Sequence, residues 1–369
     1  MSPMCNNTRR LCVLTVGLAA LAQMPARAQE ERPVRGVLLS EQHATAARLA
    51  EVKALGANAV VVMLDESVTR SAWTALADRS RATGLDLYAW VEVARNAAMA
   101  DAHPEWMATP GGHHDDWKRL FPNAPTAHEG EVIKTWPWVP IGYTPAFEAH
   151  QERLRKLLHD LPGQWAGVFL NDLQAAPSSC GCGNNQCRWA LDYGAPSTSP
   201  LTPGEDHAAR FVADVERKLP GKRVIPVWVT ECEEIDLPGT KGGTGLCGQV
   251  GCYKGDCWHR YKRAWDPLVE STKGPVALAV WSESFQRDGE AWPATAVKLF
   301  QSPPRGGAPL PPSRTILVAQ AWNHNSSDWK PLVSRVQSLS AAWVLALDPI
   351  DQSWQPRVVP LKAAAPKNP

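Results

Sequence analysis

Acidic residues recur where short apolar runs of this sequence end. Asp65 and Glu66 follow the run that closes at Leu64, Glu92 sits near the end of the next, and Asn171-Asp172 end a third. Glu231, Glu283 and Asp348 follow three more. Two carboxyl groups facing one cleft are what cleavage of a glycosidic bond requires: one protonates the leaving oxygen, and the other attacks the oxocarbenium-like carbon or activates water. No Ser-His-Asp order and no His-Glu-x-x-His motif offers a competing chemistry. Asp65, Glu66 and Asp348 read better as helix caps or arginine partners.

Tryptophan is the other unusual component: 17 residues, against 5 Tyr and 6 Phe. Trp90, Trp228, Trp281 and Trp322 all fall close to the end of an apolar run, where a flat indole face could stack on a sugar ring. With Glu92 and Asn171 they form the candidate substrate-binding set, and Trp136 and Trp138 could extend the platform. Packing in the core or at its rim accounts for about half of such indoles.

The cysteines cluster as well. Cys180, Cys182 and Cys187 follow the run ending at Asn171, and Cys232 together with Cys247, Cys252 and Cys257 follows the run ending near Thr230. Four thiolates such as Cys180, Cys182, Cys187 and Cys232 could close a structural zinc site. Disulfides that staple two long loops are the alternative, worth about 3 kcal/mol each and favoured in an exported protein. Of the nine cysteines Cys5 and Cys12 fall within the first 28 residues, and the seven others are an odd number, which disulfides alone cannot use up. No other cofactor is called for, and no Cys-x-x-Cys-His haem motif is present.

Eight apolar runs would have to position these groups. They span 34–40, 58–64, 86–93, 165–171, 223–230, 276–282, 315–322 and 342–347. Amphipathic stretches over 44–55, 71–83, 145–158 and 205–219 alternate with them, and Gly56 and Gly84 supply helix stops. Val60-Val61-Val62 is continuous, as in a strand buried on both faces. Eight strands in βα alternation specify an α/β fold, a (β/α)8 TIM barrel with long βα-loop insertions, over residues 29–356. A doubly wound open sheet is the rival, but Ser40-Glu41-Gln42-His43 after the first run has no glycine for a phosphate-binding turn. The tail 357–369, rich in Ala, Pro and Lys, is expected to be disordered.

Residues 1–28 read as a signal peptide: Arg9-Arg10, an apolar stretch 11–22, and Ala26-Arg27-Ala28 before a cleavage point. A periplasmic or secreted protein is expected, with no membrane insertion, because that stretch is too short to span a bilayer. The basic and acidic side chains, 38 against 37, nearly cancel, so no overall field draws the chain to nucleic acid. The expected partner is a carbohydrate polymer.

Glu92-Val93-Ala94-Arg95, His103-Pro104-Glu105-Trp106-Met107, the run 167–172 and the cysteine cluster behind it resemble the exported glycoside-hydrolase-like TIM barrels. That resemblance implies a carboxylate at the end of the fourth strand serving as nucleophile or proton donor, which here is Asp172. Barrels of the best-known retaining clan carry Asn-Glu there and Glu on the seventh strand, whereas this chain has Asn171-Asp172 and no acid from Gln320 to Asn323. Pairing Asp172 with Glu283 is similar instead to the α-galactosidase type, with Glu231 as substitute acid. A non-catalytic carbohydrate-binding or cysteine-rich metal-binding barrel is the reading from a different class, in which the acids are structural.

Overall fold

The computed structural model describes residues 32–107, 123–142, 144–173, 207–229, 268–280, 291–302, 308–350 and 355–360. The fold lies within the unit that starts at Val34.

Eight parallel strands close that fold into a barrel. They are β1 (Arg35–Leu39), β2 (Ala59–Met63), β3 (Asp86–Glu92), β5 (Gly167–Asn171), β6 (Arg223–Val229), β7 (Val276–Val280), β8 (Thr315–Gln320) and β9 (Ala342–Ala346). Each pairs with the next in that order, and β9 returns to pair with β1. The barrel is the one the eight apolar runs specify, and every strand lies within its run, with limits that differ by at most two residues. Between strands run α1 (Ala46–Ala54), α2 (Arg70–Thr83), α3 (Ala97–Ala102), α4 (Thr144–Leu158), α5 (His207–Lys218), α6 (Ala291–Gln301) and α7 (Trp329–Leu339). Among the described residues no helix is long and apolar enough to cross a membrane.

Local chemistry sets the helix limits. Thr69 accepts a hydrogen bond from the Ala72 amide and opens α2, while Gly84, at φ +69°, closes it in the left-handed conformation that glycine adopts at little cost. In α4 the buried positions Ala146, His150, Leu154 and Leu158 repeat every four residues and form one stripe. His150 sits inside that apolar stripe.

Strand alternation builds two cores. Side chains of one parity, among them Leu38, Val61, Tyr88, Trp90, Phe169, Ile225, Val227, Val318 and Val344, fill the barrel interior. Large rings from β3 and β5 occupy it against Ala277 and Ala279 on β7 and Ala342 and Ala346 on β9, so bulky and small residues complement each other around the ring. The opposite parity, including Val60, Val62, Val91, Leu170, Leu278, Leu317 and Leu345, packs outward under the helices.

Two strands lie outside the sequence expectation. Within the β3–α4 insertion, β4 (Glu131–Trp136) pairs antiparallel with β10 (Gln355–Pro360), near the end of the chain. Residues 357–360, expected as part of a disordered tail, are therefore in a strand; residues 361–369 lie outside the described residues. Val359 shares a small apolar cluster with Ala100, Met107, Val139 and Ala146, and Arg357 stands 3.8 Å over the Trp136 ring while donating to Asp101 at 2.9 Å. Partners more than two hundred residues apart supply what local periodicity does not contain.

Candidate functional site

The C-terminal strand ends form the barrel mouth, where the βα loops converge. Glu92 and Asn171 are direct register partners on β3 and β5. Both share the parity of Trp90 and Phe169, so they lie one layer above those rings and face the barrel axis. Asn171 Nδ2 donates to both Glu92 carboxylate oxygens, at 3.0 and 2.9 Å, and Trp90 Nε1 donates to Oε1 at 2.6 Å. Trp90 is itself held by stacking on Phe169, with centroids 5.8 Å apart and planes 21° from parallel. Arg153, reaching in from α4, donates from Nη1 to the Glu92 main-chain carbonyl at 2.8 Å and from Nε to Glu66 at 2.6 Å. The result is a half-buried carboxylate at the described mouth, held by three contacts from two N–H donors, Asn171 Nδ2 and Trp90 Nε1.

Asp172 is arranged differently. Its side chain is 0% exposed, its φ of +57° places it in the left-handed region, and Arg95 Nε lies 3.8 Å from Oδ2. Asp tolerates this backbone better than most residues because its short polar side chain bonds locally. The Ala94 amide donates to the Asp172 carbonyl at 3.2 Å, and the Val93 amide donates to that of Asn171 at 2.9 Å, so the loop after β5 is laced to the loop after β3. Asp172 is thus a fully buried carboxyl group beside the buried Arg95 guanidinium, and it does not line an open cleft.

The tryptophans divide. Trp228 is a correction: it has outward parity, is 0% exposed, and packs edge-on against Phe300 with centroids 4.5 Å apart, so it offers no face to a ligand. Trp90 is also buried and acts as a hydrogen-bond donor beneath Glu92 rather than as a stacking surface. Trp322, just past β8, is half-buried against the interior cluster and remains at the mouth. Trp138 is fully buried, and Trp136 has Arg357 over one face, so neither extends a platform. Trp281, Glu231, Glu283, Cys180, Cys182, Cys187 and Cys232 lie outside the described residues. Among the described residues no group of His, Cys, Asp or Glu is arranged to hold a metal ion.

The acids expected to be structural are so. Asp348 accepts from the Ser40 amide and hydroxyl at 2.6 and 2.7 Å and from His43 at 2.8 Å. Asp65 accepts from the Ser67 amide at 2.8 Å. Burial raises the Glu66 carboxyl, but the Arg153 hydrogen bond and charge outweigh it and hold it below its ordinary range.

Sequence reasoning did not single out Arg95, Arg153, His150 or Gln320. Gln320 is the last residue of β8, with the interior parity of Ile316 and Val318, and period-two alternation extended to the strand end would have found it. Arg153 and His150 lie on α4, whose docking onto the β3 loop is a tertiary event. His150 is wholly buried, its Nε2 bonds the Val139 carbonyl at 2.7 Å, and desolvation pushes its ring down to about 4, with the nearby Arg153 charge acting in the same direction and the Val139 hydrogen bond opposing.

No protein-family model matches the sequence, and neither does any curated protein. Among solved structures the chain is similar to an α-L-fucosidase isoenzyme 2 from Paenibacillus thiaminolyticus, with 10% identity over 83% of this chain and 49% of that one and a TM-score of 0.42. It is similar to an α-amylase from Lactobacillus plantarum, with 11% identity over 86% and 71% and a TM-score of 0.43. It is also similar to tryptophan synthase from M. tuberculosis, with 9% identity over 86% and 83% and a TM-score of 0.33. The chain spans about half the length of the fucosidase. At these values the likeness adds nothing to the eight-stranded (β/α)8 barrel that the strand pairing establishes.

Proposed function

We propose that the protein is an exported glycoside-hydrolase-like enzyme that cleaves a polysaccharide by a two-carboxylate mechanism, with Glu92 as one of the two. The observation that carries this reading is the Glu92 carboxylate at the barrel mouth, its two oxygens gripped by Asn171 Nδ2 and its Oε1 by Trp90 Nε1. A positioned acid or base must be held in one geometry to act in a transition state, and these donors supply that order before substrate arrives. N–H donors on both oxygens suit a group that works as a carboxylate, attacking the anomeric carbon or taking a proton from water. The partner acid is Glu283 on the β7 side or Glu231 on the β6 side, in the role first assigned to the Asp172 pair. Asp172, buried beside Arg95, orders the two loops instead. Trp322 lends an indole at the same mouth.

Removal of residues 1–28 on export and disulfide stapling of the cysteine loops belong to the same reading. Exported material should begin at Gln29 on N-terminal sequencing, and metal analysis with thiol titration separates bridges from a zinc site.

The test replaces Glu92 by glutamine, which keeps its shape. Hydrolysis of a polysaccharide panel should fall at least ~10²-fold in Glu92→Gln while the thermal melt stays near that of the wild type. Wild-type protein that cuts no glycan, or a variant that cuts as fast as the wild type, refutes the assignment and favours a carbohydrate-binding barrel.

A further inference from the structure

A second concavity opens beside Glu92. It encloses about 640 Å³, within the usual range of small-molecule sites, and lies between the ends of β2 and β3, helix α3 and one face of α4. Its charged lining is balanced: among its described residues Arg70, Arg153 and Lys156 stand against Asp65, Glu66 and Glu152. These charges are already answered within the protein. Arg153 bonds Glu66 at 2.6 Å, Lys156 lies 3.7 Å from Glu152, and Arg70 lies 3.4 Å from Asp160. The lining carries no net charge and an ion entering would have to compete with made pairs, which favours neither an anionic nor a cationic ligand. What remains is a largely apolar wall, with Leu64, Val68, Met99, Leu157 and Leu161 in it, and a stacked pair, His103 on Trp106 at 3.7 Å and 6° from parallel, at one side. An apolar wall with a flat π surface and paired charges at its edge suits a neutral ligand with a flat apolar face, as a sugar ring has.

Arg153 joins this concavity to the mouth. It lines the cavity and also donates to the Glu92 carbonyl at 2.8 Å. We propose that the cavity is a subsite for the same sugar polymer, holding units next to the one whose bond is positioned at Glu92, with the outer face of His103 as its stacking surface. This rests on the function proposed above and extends it: the substrate is an uncharged oligosaccharide of several units rather than a single sugar or a uronic-acid polymer.

The experiment measures binding apart from cleavage. Neutral gluco-, manno-, xylo- and chito-oligosaccharides of two to six units, and an oligogalacturonate series, are titrated calorimetrically into the full chain and into Glu92→Gln. His103→Ala and Ala102→Trp are compared, the latter placing a bulky ring from an exposed cavity position; melts check that each variant folds. At least one neutral series should bind with affinity rising about tenfold between two and six units, and both cavity variants should lose that length dependence by fivefold or more. Where the wild type cuts a glycan, their loss should appear in KM for long substrates and leave short ones unchanged. Binding retained by Glu92→Gln but lost in the cavity variants, with no hydrolysis by wild type, supports the subsite and sinks the hydrolase. Hydrolysis whose length dependence is unaffected by both variants does the reverse. No binding of any neutral series, or preference for the galacturonates, overturns the proposal.

Discussion

Acid should unfold this protein partly through one imidazole. His150 lies wholly buried in the apolar stripe of α4, with Nε2 bonded to the Val139 carbonyl and no hydrogen-bond partner for Nδ1 among the described residues. Burial depresses its folded value from 6.5 to about 4. Between those limits the unfolded chain binds the proton and the folded chain does not, so stability rises with pH across the window and is lost as pH falls from about 6.5 to about 4. A gap of about 2.5 pH units, at about 1.4 kcal/mol each, sets a ceiling of about 3.5 kcal/mol, of which about 3 kcal/mol falls within the window. The comparison is His150→Gln, whose amide nitrogen can take over the donor position of Nε2 without titrating. Urea unfolding at a series of pH values should show the wild type losing about 3 kcal/mol more than the variant over that window. The slopes carry the result, since a fixed cost of the substitution cancels. Parallel slopes, or a His150 ring seen by NMR to titrate near its ordinary value, would refute the reasoning. Val139 is bonded to Ala94 in the loop after β3, so acid-induced release of His150 should also loosen the segment that carries Arg95.

Gly167 begins β5 where its strand presses on β6; a methyl there would run into the Arg223 carbonyl oxygen and stand 2.8 Å from its Cβ. Gly167→Ala should therefore cost at least ~2 kcal/mol by chemical denaturation, because the barrier is backbone that cannot turn aside. Asp172→Asn keeps a residue that tolerates the left-handed backbone but leaves the buried Arg95 facing a neutral amide, so a loss of about 3 kcal/mol is expected on a melt. If Asp172 were only a helix cap, the same change would cost at most ~1 kcal/mol.

The barrel was legible in the sequence because its information is local. Eight apolar runs with both faces buried, separated by helical periodicity and helix stops such as Gly84, leave few topologies open, and right-handed parallel closure follows from the count. The value of strand ends as the place to look was also legible, and Glu92 and Asn171 were found there. What the sequence did not hold was which way each residue faced and what met it across the fold. Trp228 and Trp90 differ in parity, so one packs under a helix and the other donates to Glu92, although both simply sit near a strand end. Asp172 and Asn171 are neighbours in sequence, yet a left-handed backbone at Asp172 accompanies one side chain buried beside Arg95 and the other on the barrel axis. The pairing of β4 with β10, and the approach of Arg153 to the Glu92 carbonyl, join segments far apart in the chain. Local periodicity is a property of a few consecutive residues and can be read from them; a contact between distant segments exists only once the barrel has closed, and tertiary packing alone decided it.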